Sequence, residues 1–339
     1  MPLSELQLIK RIRRAARAAD KRGRTVATGI GDDCAVLRWD AKQDLLVTTD
    51  LSLEGVHFRR DWHPAESAGH RCLARGLSDI AAMGGDPVAA FLSLATPADC
   101  PQRWVDGFLA GLLKLAARFR VELAGGDVAE SPAGIVADIV VVGRVPRVRG
   151  KSQALLRSGA RPGDSIYVTG ELGRSAAVLH ELRDRVARTP SSAALSRRKE
   201  NRPHFFPEPR IEIGRKLRGI ASAAIDISDG LSTDLMHICE ESGVGALIHE
   251  HSIPRGVHGF VSSSLHFALH GGEDYELLFT APQSAHVPAS VPSQAGKVRI
   301  TRIGEIIADK KRRLFLVDSH GQRKQLAPAG WQHFGQCSG

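Results

Sequence analysis

Acidic residues that stand beside glycines recur along this chain, although Lys and Arg outnumber Asp and Glu by 46 to 37. A single Asp next to Gly is most often a turn residue or a helix N-cap. The repetition of such clusters indicates a ligand-binding site. Several of these acids end apolar, strand-like runs, and open α/β sheets bind ligands at strand ends. Six such clusters contain Asp32 and Asp33, Asp50, Asp79, Asp127, Asp226 and Asp229, and Glu273 and Asp274.

Carboxylates on glycine-rich backbone suit Mg²⁺, which binds a few carboxylates and keeps positions open for water and phosphate oxygens. In GIGDDCAV (residues 29–36), two glycines of the kind that cradle phosphate lead directly into Asp32 and Asp33, which repel phosphate. The loop is therefore predicted to hold cations, and the cations to hold phosphate. In an extended segment the two side chains point to opposite faces and need not bind the same ion.

Three common motifs are excluded by their spacing. Cys34 stands where a dinucleotide-binding fingerprint needs its third glycine, and Val145 stands where a phosphate loop ending in RGKS (149–152) needs its first. No protein-kinase signature occurs, and five dispersed cysteines without a C-x-x-C pair argue against zinc. A nucleotide site in this chain must be of another kind.

Eight motifs in a fixed order extend the acidic pattern from about residue 5 to residue 334. They are GIGDDCAVL, TTDLSLEGVHF, LSDIAAMGGDP, LAGGD, LLRSGARPGDSIYVTGELGRSA, IDISDGLSTDL, GGEDYELLF and GWQHF. In this order they resemble the motifs of the thiamine-monophosphate kinase family, within the superfamily of aminoimidazole ribonucleotide synthetase and selenophosphate synthetase. The resemblance implies ATP-dependent phosphorylation of thiamine monophosphate to thiamine diphosphate, by direct in-line transfer of the γ-phosphate with several Mg²⁺ ions.

The resemblance also implies roles by motif position, and it implies no catalytic base. The Mg²⁺ ligands would be Asp33, Thr48, Thr49, Asp50, Asp79, Asp127, Asp226 and Asp229. The ATP site would be lined by Gly126, Asp127, Arg157 and Ser228. The thiamine substrate would be contacted by His57, Glu273 and Trp331.

These residue types agree with the chemistry of a phosphate acceptor. The second pKa of a phosphate monoester is near 6, so the nucleophile is already ionised at neutral pH. Repulsion is the obstacle: two unit charges about 4 Å apart cost roughly 1 kcal/mol in water and about 4 kcal/mol at an effective dielectric of 20. Cations and an arginine would neutralise that charge, and Trp331 could stack on the cationic thiazolium.

The elements that must position these residues follow from hydrophobic periodicity and turn signals. Helices are predicted at 4–20 with Ser4 as the cap, 64–83, 101–119, from Gly173, 208–218, 231–242 and 261–269. Strands are predicted at 34–39, 45–50, 87–96, 134–145, 165–170 and 298–307, and in AAIDISDG, GALIHE and YELLFTAP. VELAGGD is predicted to be a short strand that runs into a loop.

Turn formers and charges after residue 145 predict two domains. The fold class is α/β (α+β), like aminoimidazole ribonucleotide synthetase, with an ATP- and Mg-binding dimerisation domain over 1–149 and an α+β domain over 150–339. The polar, basic segment 184–206 is longer than the family pattern and is predicted to be a flexible insertion that chemistry does not need. The resemblance implies a homodimer whose N-terminal sheets join in a barrel.

The amino-acid composition limits the classes of molecule that this protein is expected to bind. The chain has 339 residues and 42% apolar content, which suits two globular domains, and no apolar run reaches the ~18 residues of a membrane span. The basic N-terminus lacks the apolar core of a secretory signal, and few, dispersed cysteines suit a reducing cytoplasm. A net charge of +9 favours polyanionic ligands, but scattered aromatics at 5% offer no platform for single strands. ATP and thiamine monophosphate are therefore the expected partners, without nucleic acid or membrane.

Three alternatives stay open. Another superfamily member is one, although selenophosphate synthetase needs a reactive Cys before the acids, where none precedes Cys34. The hydrogenase maturation member uses a C-terminal Cys, and Cys337 lies in the different tail GQCSG. A non-catalytic nucleotide-binding protein would have lost acids, and none is missing. A basic nucleic-acid-binding protein would bind in a salt-sensitive way without using the acids.

Overall fold

The computed structural model describes residues 7, 9–10, 13, 26–186, 196, 198–258, 261–262, 264–293 and 296–333. Four residues of the predicted N-terminal helix are described, and all four are helical: Gln7, Ile9, Lys10 and Arg13. Ser4 and Cys337 lie outside the described residues. Within the described ranges, no helix combines the length and the apolar character that crossing a membrane would require.

The first half forms a seven-stranded, mainly antiparallel sheet. Its strands are β1 (Val26–Thr28), β2 (Ala35–Arg38), β3 (Gln43–Leu53), β4 (Asp86–Thr96), β5 (Glu122–Glu130), β6 (Val136–Val148) and β7 (Lys151–Ser152). Their order is β1-β2-β3-β6-β4-β5, with β7 on the end of β6 and with β4 and β5 parallel. Because side chains alternate along a strand, Thr48 of β3 is buried whereas Thr49 faces outward.

Two helices, α1 (Ala65–Ala82) and α2 (Gln102–Phe119), pack against this sheet and against each other. Glycines let the two helices approach closely: a Cβ on Gly69 would lie 1.8 Å from the Phe108 carbonyl oxygen, and one on Gly111 would lie 1.9 Å from that of Glu66. Helix α1 also contacts elements of the second half, so it is buried along almost its whole length.

The second half forms an eight-stranded sheet in the order β17-β16-β10-β15-β8-β13-β9, with β14 paired to β15. Its strands are β8 (Ser165–Thr169), β9 (Ala223–Asp226), β10 (Gly245–His249), β13 (Leu277–Ala281), β14 (Ser290–Ser293), β15 (Gly296–Ile307), β16 (Leu314–Val317) and β17 (Arg323–Leu326). A separate hairpin joins β11 (Val257–His258) to β12 (Val261–Ser262).

Among the ranges given as described, the helices that accompany the second sheet include α3 (Arg174–Val186), α4 (Arg202–Phe205), α5 (Ile211–Leu217), α6 (Leu231–Ser242) and α7 (Leu265–His270). Two short 3₁₀ helices cover Lys199–Asn201 and Glu250–Ser252. One apolar core spans both halves, because Ile213 of α5 and Phe279 of β13 belong to the same buried cluster as Leu73 and Leu77 of α1. Both halves mix strands and helices as predicted, and the division at residues 149 and 150 stays a prediction.

Two element predictions are wrong. The helix predicted at 261–269 begins only at Leu265, because Val261 and Ser262 pair with β11 and the Ser264 hydroxyl caps the helix by accepting the Phe267 N–H at 3.2 Å. Strand β5 is longer than VELAGGD suggested, since its pairing with β4 continues to Glu130. The glycines that indicated a loop lie inside a parallel ladder, where partner-strand hydrogen bonds keep the backbone extended.

The last part of the segment 184–206 is packed, whereas the sequence predicted a flexible insertion. Residues 184–186 end α3, residues 187–195 and 197 lie outside the described residues, and residues 198–206 form two short helical turns. Phe205 is fully buried with Val178 and Leu182, and Trp62 packs against this cluster. The polar composition around residue 200 favoured the prediction of a flexible loop, so the sequence analysis missed the buried Phe205.

Replacing Phe205 with alanine is expected to lower the free energy of unfolding by about 3–5 kcal/mol, because truncating a buried aromatic leaves a cavity. Denaturant-induced unfolding would measure the loss. Trp39, which is 66% exposed, provides the control, and Trp39→Ala should have little effect. A loss below about 1 kcal/mol in Phe205→Ala would show that this segment is not part of the packed core.

Candidate active site

A cleft of about 800 Å³ is lined by residues of both halves of the chain. Its walls come from the helices α1, α3, α4 and α7, the end of β3 and the loop after it, the loop between β9 and α6, the loop before β13, and the residues after β17. Eight of the residues singled out in the sequence line it: Asp50, His57, Asp79, Asp226, Ser228, Asp229, Glu273 and Trp331.

Three carboxylates from distant parts of the chain meet beside this cleft. Asp33 precedes β2, Asp79 lies on α1 and Asp226 ends β9, and one oxygen of each lies within 4.8 Å of the others. The Thr48 hydroxyl donates to Asp79, and the Ser78 hydroxyl donates to Asp226 Oδ2 at 2.6 Å. Neighbouring hydroxyls therefore orient carboxylates that would otherwise repel one another.

Burial and like charge raise the pKa of these acids. Burial, with Asp50, Asp226 and Asp33 nearby, raises the pKa of Asp79 well above its usual range. Burial and the Asp33 carboxylate raise the pKa of Asp226 to about 8, although the Ser78 hydrogen bond opposes this. Burial likewise raises the pKa of Asp50. In the absence of a cation, protons would neutralise part of this cluster, and a divalent ion can replace them.

Two buried carboxylate oxygens fit a cation. Asp33 Oδ2 and Asp50 Oδ2 are both buried, and neither has a hydrogen-bond partner within the described part of the chain. Leaving a buried acceptor unpaired is costly, and carboxylate oxygen is the ligand type that Mg²⁺ prefers. The donor set around Asp79 can therefore hold one or more divalent ions.

Asp229 belongs to a second group of possible ligands, in which one atom each of Asp229, Asp234 and His237 lies within 4.8 Å of the others. Asp234 Oδ2 accepts the backbone N–H of Asp229 at 3.2 Å and that of Gly230 at 3.0 Å. Asp234 thus holds the loop that carries the predicted ligand. The sequence analysis missed Asp234 and His237, although their positions early in α6 place both near the DISDG turn.

Arg157 is bound to the acidic loop. Its Nη2 lies 2.5 Å and its Nε 3.2 Å from Asp33 Oδ1, and its backbone N–H donates to Asp32 Oδ1 at 3.1 Å. Asp32 and Asp33 therefore meet the same residue, Asp32 through the Arg157 backbone and Asp33 through the Arg157 side chain, and whether they bind one ion stays a prediction. Burial raises the pKa of Asp32 to about 7. Arg157 does not line the described cleft, and its role toward ATP stays a prediction.

The three residues predicted to contact thiamine lie around one side of the cleft. His57 Nδ1 accepts the Leu53 N–H at 2.9 Å, and burial beside Arg75 lowers the pKa of His57 to about 3. Trp331 is 45% exposed, and its backbone N–H donates to the Asp229 carbonyl oxygen at 3.1 Å. The ring of His333, which the sequence analysis missed, lies 5.1 Å from His57 and 5.9 Å from Trp331.

Glu273 is held by arginines that the sequence analysis also missed. Its Oε1 lies 2.6 Å from Arg71 Nη2 and 3.9 Å from Arg75 Nη1. These arginines lower the pKa of Glu273 despite its burial, so the carboxylate stays ionised. Both arginines lie on α1. Arg71, Arg75 and Asp79 follow one another at intervals of four residues, and this spacing is the sequence signal that places all three on one side of the helix.

Three predicted residues lie elsewhere. The Thr49 hydroxyl donates to Asp138 Oδ1 at 2.8 Å on the outward side of β3. Gly126 and Asp127 are exposed on β5 at the end of the sheet, and Asp127 Oδ1 accepts only the Val128 N–H at 2.9 Å among the described contacts. None of the three lines the described cleft. Their metal and ATP roles stay predictions.

The crowding of these acids predicts a pH-dependent stability in the metal-free protein. Folding raises the pKa of Asp79 and Asp226, so the folded state binds more protons than the unfolded state, and stability falls as pH rises toward and through about 8. Asp79→Asn removes one charge and keeps an acceptor for Thr48. At pH 9 in EDTA it should melt about 1–2 °C above the wild type, as roughly 1 kcal/mol implies for a chain of this length.

Thermal unfolding at pH 6 and pH 9 would measure this difference, which should shrink at pH 6. Asp106→Asn, an exposed acid on α2, is the matched control and should leave the melting temperature unchanged. A lower melting temperature for Asp79→Asn at both pH values would contradict the proposed repulsion.

Two protein families match most of the chain. Residues 31–145 match the family described as AIR synthase related protein, N-terminal domain. Residues 161–317 match AIR synthase related protein, C-terminal domain.

Individual relatives give a narrower likeness. The thiamine-monophosphate kinase of Salmonella typhimurium (strain LT2) is 41% identical over 315 residues, which cover 91% of this chain and 92% of that protein. A crystal structure of the thiamine-monophosphate kinase from Stenotrophomonas maltophilia K279a is similar at 34% identity, with a TM-score of 0.69 and coverage of 93% and 97%. The structure of AaThiL complexed with AMPPCP and TMP has 31% identity, a TM-score of 0.80 and coverage of 98% and 99%. This chain therefore belongs to the thiamine-monophosphate kinase family of AIR synthase related proteins.

Proposed function

We propose that this protein uses ATP to phosphorylate thiamine monophosphate, giving thiamine diphosphate and ADP. One observation carries the proposal: a single cleft joins buried carboxylates suited to cations with His57, Glu273 and Trp331. The name shared by relatives at up to 41% identity supports it. So does the AaThiL structure, which was complexed with AMPPCP and TMP.

The acceptor needs no strong base, because a phosphate monoester is largely ionised at neutral pH. The protein's task is to bring two polyanions together and to align the acceptor oxygen with the γ-phosphorus. In the balanced reaction that oxygen bonds to the γ-phosphorus, the bond to the β–γ bridging oxygen breaks, and ADP leaves. The proposed mechanism therefore assigns no residue as a catalytic base.

The carboxylates beside the cleft are the proposed Mg²⁺ ligands: Asp33, Asp50, Asp79, Asp226 and Asp229. Bound Mg²⁺ supplies charge neutralisation between the two phosphate groups. The Thr48 and Ser78 hydroxyls keep Asp79 and Asp226 oriented. The apolar core around α1 limits the movement of these side chains, which favours a fixed alignment of the reactants.

Ser228 and Trp331 link the two sides of the proposed site. The Ser228 carbonyl oxygen accepts the Glu273 N–H at 2.8 Å, and the Asp229 carbonyl oxygen accepts the Trp331 N–H at 3.1 Å. The same short turn therefore positions residues proposed for metal, nucleotide and thiamine. The exposed Trp331 ring offers a face on which a cationic thiazolium can stack.

The proposal includes a cytoplasmic homodimer with further ligands: Thr49, Gly126 and Asp127 from the first sheet, and Arg157 from the segment between β7 and β8. Large apolar side chains exposed on that sheet support an interface there, with Leu51 51% exposed, Phe91 39% and Val128 81%. The four cysteines that the structure describes are free, which suits a reducing compartment.

The direct test is to incubate the purified protein with ATP, Mg²⁺ and thiamine monophosphate, and to measure thiamine diphosphate and ADP together. Equal amounts of both products, and neither product without Mg²⁺, are expected. Asp50→Asn should abolish turnover without unfolding the protein, because it removes a charge that holds the cation. ADP without thiamine diphosphate would instead indicate another acceptor in the same superfamily.

Trp331→Ala is expected to raise KM for thiamine monophosphate by about tenfold, with a smaller effect on KM for ATP, because a desolvated cation–π contact contributes up to about 2 kcal/mol. Initial rates with each substrate varied in turn would separate the two effects. Trp39→Ala is the control, since Trp39, directly after β2, is 66% exposed and does not line the described cleft. Equal increases in both constants would mark Trp331 as a structural residue.

A further inference from the structure

Helix α1 presents a polar stripe on one side, made of Arg71, Arg75 and Asp79 at intervals of four residues. Asp79 belongs to the carboxylate cluster, and both arginines approach Glu273. The stripe therefore runs from the proposed metal site to the proposed thiamine site. Of these three residues, Asp79 is a proposed Mg²⁺ ligand, and the arginines have no proposed role in the reaction so far.

Arg71 is fully engaged by protein groups. Its Nη2 lies 2.6 Å from Glu273 Oε1 and 3.4 Å from the His57 carbonyl oxygen, and its Nη1 donates to the His204 carbonyl oxygen. Arg71 is 4% exposed and does not line the large cleft as described. It is a positioning residue that joins the loop before β13, the loop after β3 and helix α4.

Arg75 differs, because it lines the cleft and its contacts are loose. Its Nε lies 3.7 Å from Asp50 Oδ1, and its Nη1 lies 3.9 Å from Glu273 Oε1; both distances exceed hydrogen-bond length. That Nε is buried and has no hydrogen-bond partner among the residues the structure describes. A buried donor of a permanently charged group should find an acceptor when the site is filled.

Two other arginines line the described cleft, Arg59 and Arg183. Arg59 Nε and Nη2 lie 2.9 Å and 2.7 Å from the two oxygens of Asp61, and Arg183 is exposed on α3. Arg157 does not line the cleft and is bound to Asp33. Within the described lining, Arg75 is thus the arginine that stands between the acids of the metal side and Glu273.

We propose that Arg75 binds the phosphate of the acceptor substrate and aligns its oxygen for attack. The inference rests on the proposed function and deepens it by assigning a cation to the nucleophile. The guanidinium fork can donate to two phosphate oxygens at once. Its neighbours favour the acceptor over ATP, because Arg75 approaches Glu273 and lines the cleft together with His57, two residues proposed to contact thiamine.

Arg75 would act by charge and direction, without forming a bond. Its positive charge offsets part of the repulsion between the acceptor phosphate and the γ-phosphate of ATP. Its own position is set by Asp50 and Glu273, which flank it without saturating it. Because these contacts are longer than hydrogen bonds, Arg75 has N–H donors available to a phosphate. The Nη1 and Nη2 donors of Arg71 are instead bonded to Glu273 and to backbone carbonyl oxygens.

The test compares Arg75→Gln and Arg75→Lys with Arg59→Gln, which removes a charge elsewhere in the cleft. Calorimetric titration in Mg²⁺ would measure binding of thiamine monophosphate and of thiamine, which lacks the phosphate. Arg75→Gln should weaken thiamine monophosphate binding by about 10- to 100-fold, the loss expected for hydrogen bonds to a charged group. Thiamine binding should change less than about twofold, and Arg59→Gln should match the wild type for both ligands.

Arg75→Lys keeps the charge but loses the fork, so it should show an intermediate loss for thiamine monophosphate alone. In steady-state assays both Arg75 variants should raise KM for thiamine monophosphate and lower kcat, with KM for ATP close to the wild-type value. If Arg75→Gln fails to fold, Arg75→Lys is judged by the same criterion.

Equal weakening of thiamine and thiamine monophosphate, an unchanged affinity for both, or an increase confined to KM for ATP would each overturn the assignment of Arg75. A wild-type protein that neither binds thiamine monophosphate nor converts it would overturn the proposed function instead. The two failures are therefore distinguishable.

Discussion

The repulsion among buried carboxylates is the constraint on which the rest of this structure depends. Asp33, Asp79 and Asp226 come from three elements, yet one oxygen of each lies within 4.8 Å of the others in a largely buried position beside the cleft. Such crowding opposes folding unless protons, cations or arginines offset it. The extensive apolar core that joins the two halves supplies the opposing stability. The unrelieved charge suits the cluster to the divalent ions that are proposed to bind there.

Helix α1 is the element that makes this crowding possible. Its small residues let α2 and the first sheet approach closely, so that a largely buried helix can carry a charged stripe into the centre of the molecule. Arg71 and Arg75 on that stripe balance acids from both halves. One helix thereby couples the packing of the core to the electrostatics of the cleft.

The loop before β13 shows how strain and function are combined. Glu273 and Tyr275 have φ angles of 64° and 51°, in a region that side-chain-bearing residues rarely adopt. Backbone of this kind costs about 1–3 kcal/mol per residue and needs support from its surroundings. Hydrogen bonds from the two N–H groups to the carbonyl oxygens of Ser228 and Ile227, at 2.8 and 2.9 Å, supply it together with Arg71. The strained turn thus depends on the loop after β9, which follows Asp226 and carries Asp229, two of the acids proposed to bind metal.

The sequence by itself determined the acid clusters and the family, because glycine and aspartate motifs are local patterns. Of the acids expected at strand ends, Asp226 ends β9, whereas Asp50 and Asp127 lie inside β3 and β5. The sequence also predicted most helices and strands near the cleft, since amphipathic periodicity is local too. Only the tertiary structure decided which acids converge, that Thr49 and Asp127 lie outside the described cleft, and that Phe205 anchors a segment predicted to be flexible. It alone distinguished Arg75 from Arg71, because hydrogen-bond saturation depends on groups distant in the chain, which no local periodicity records.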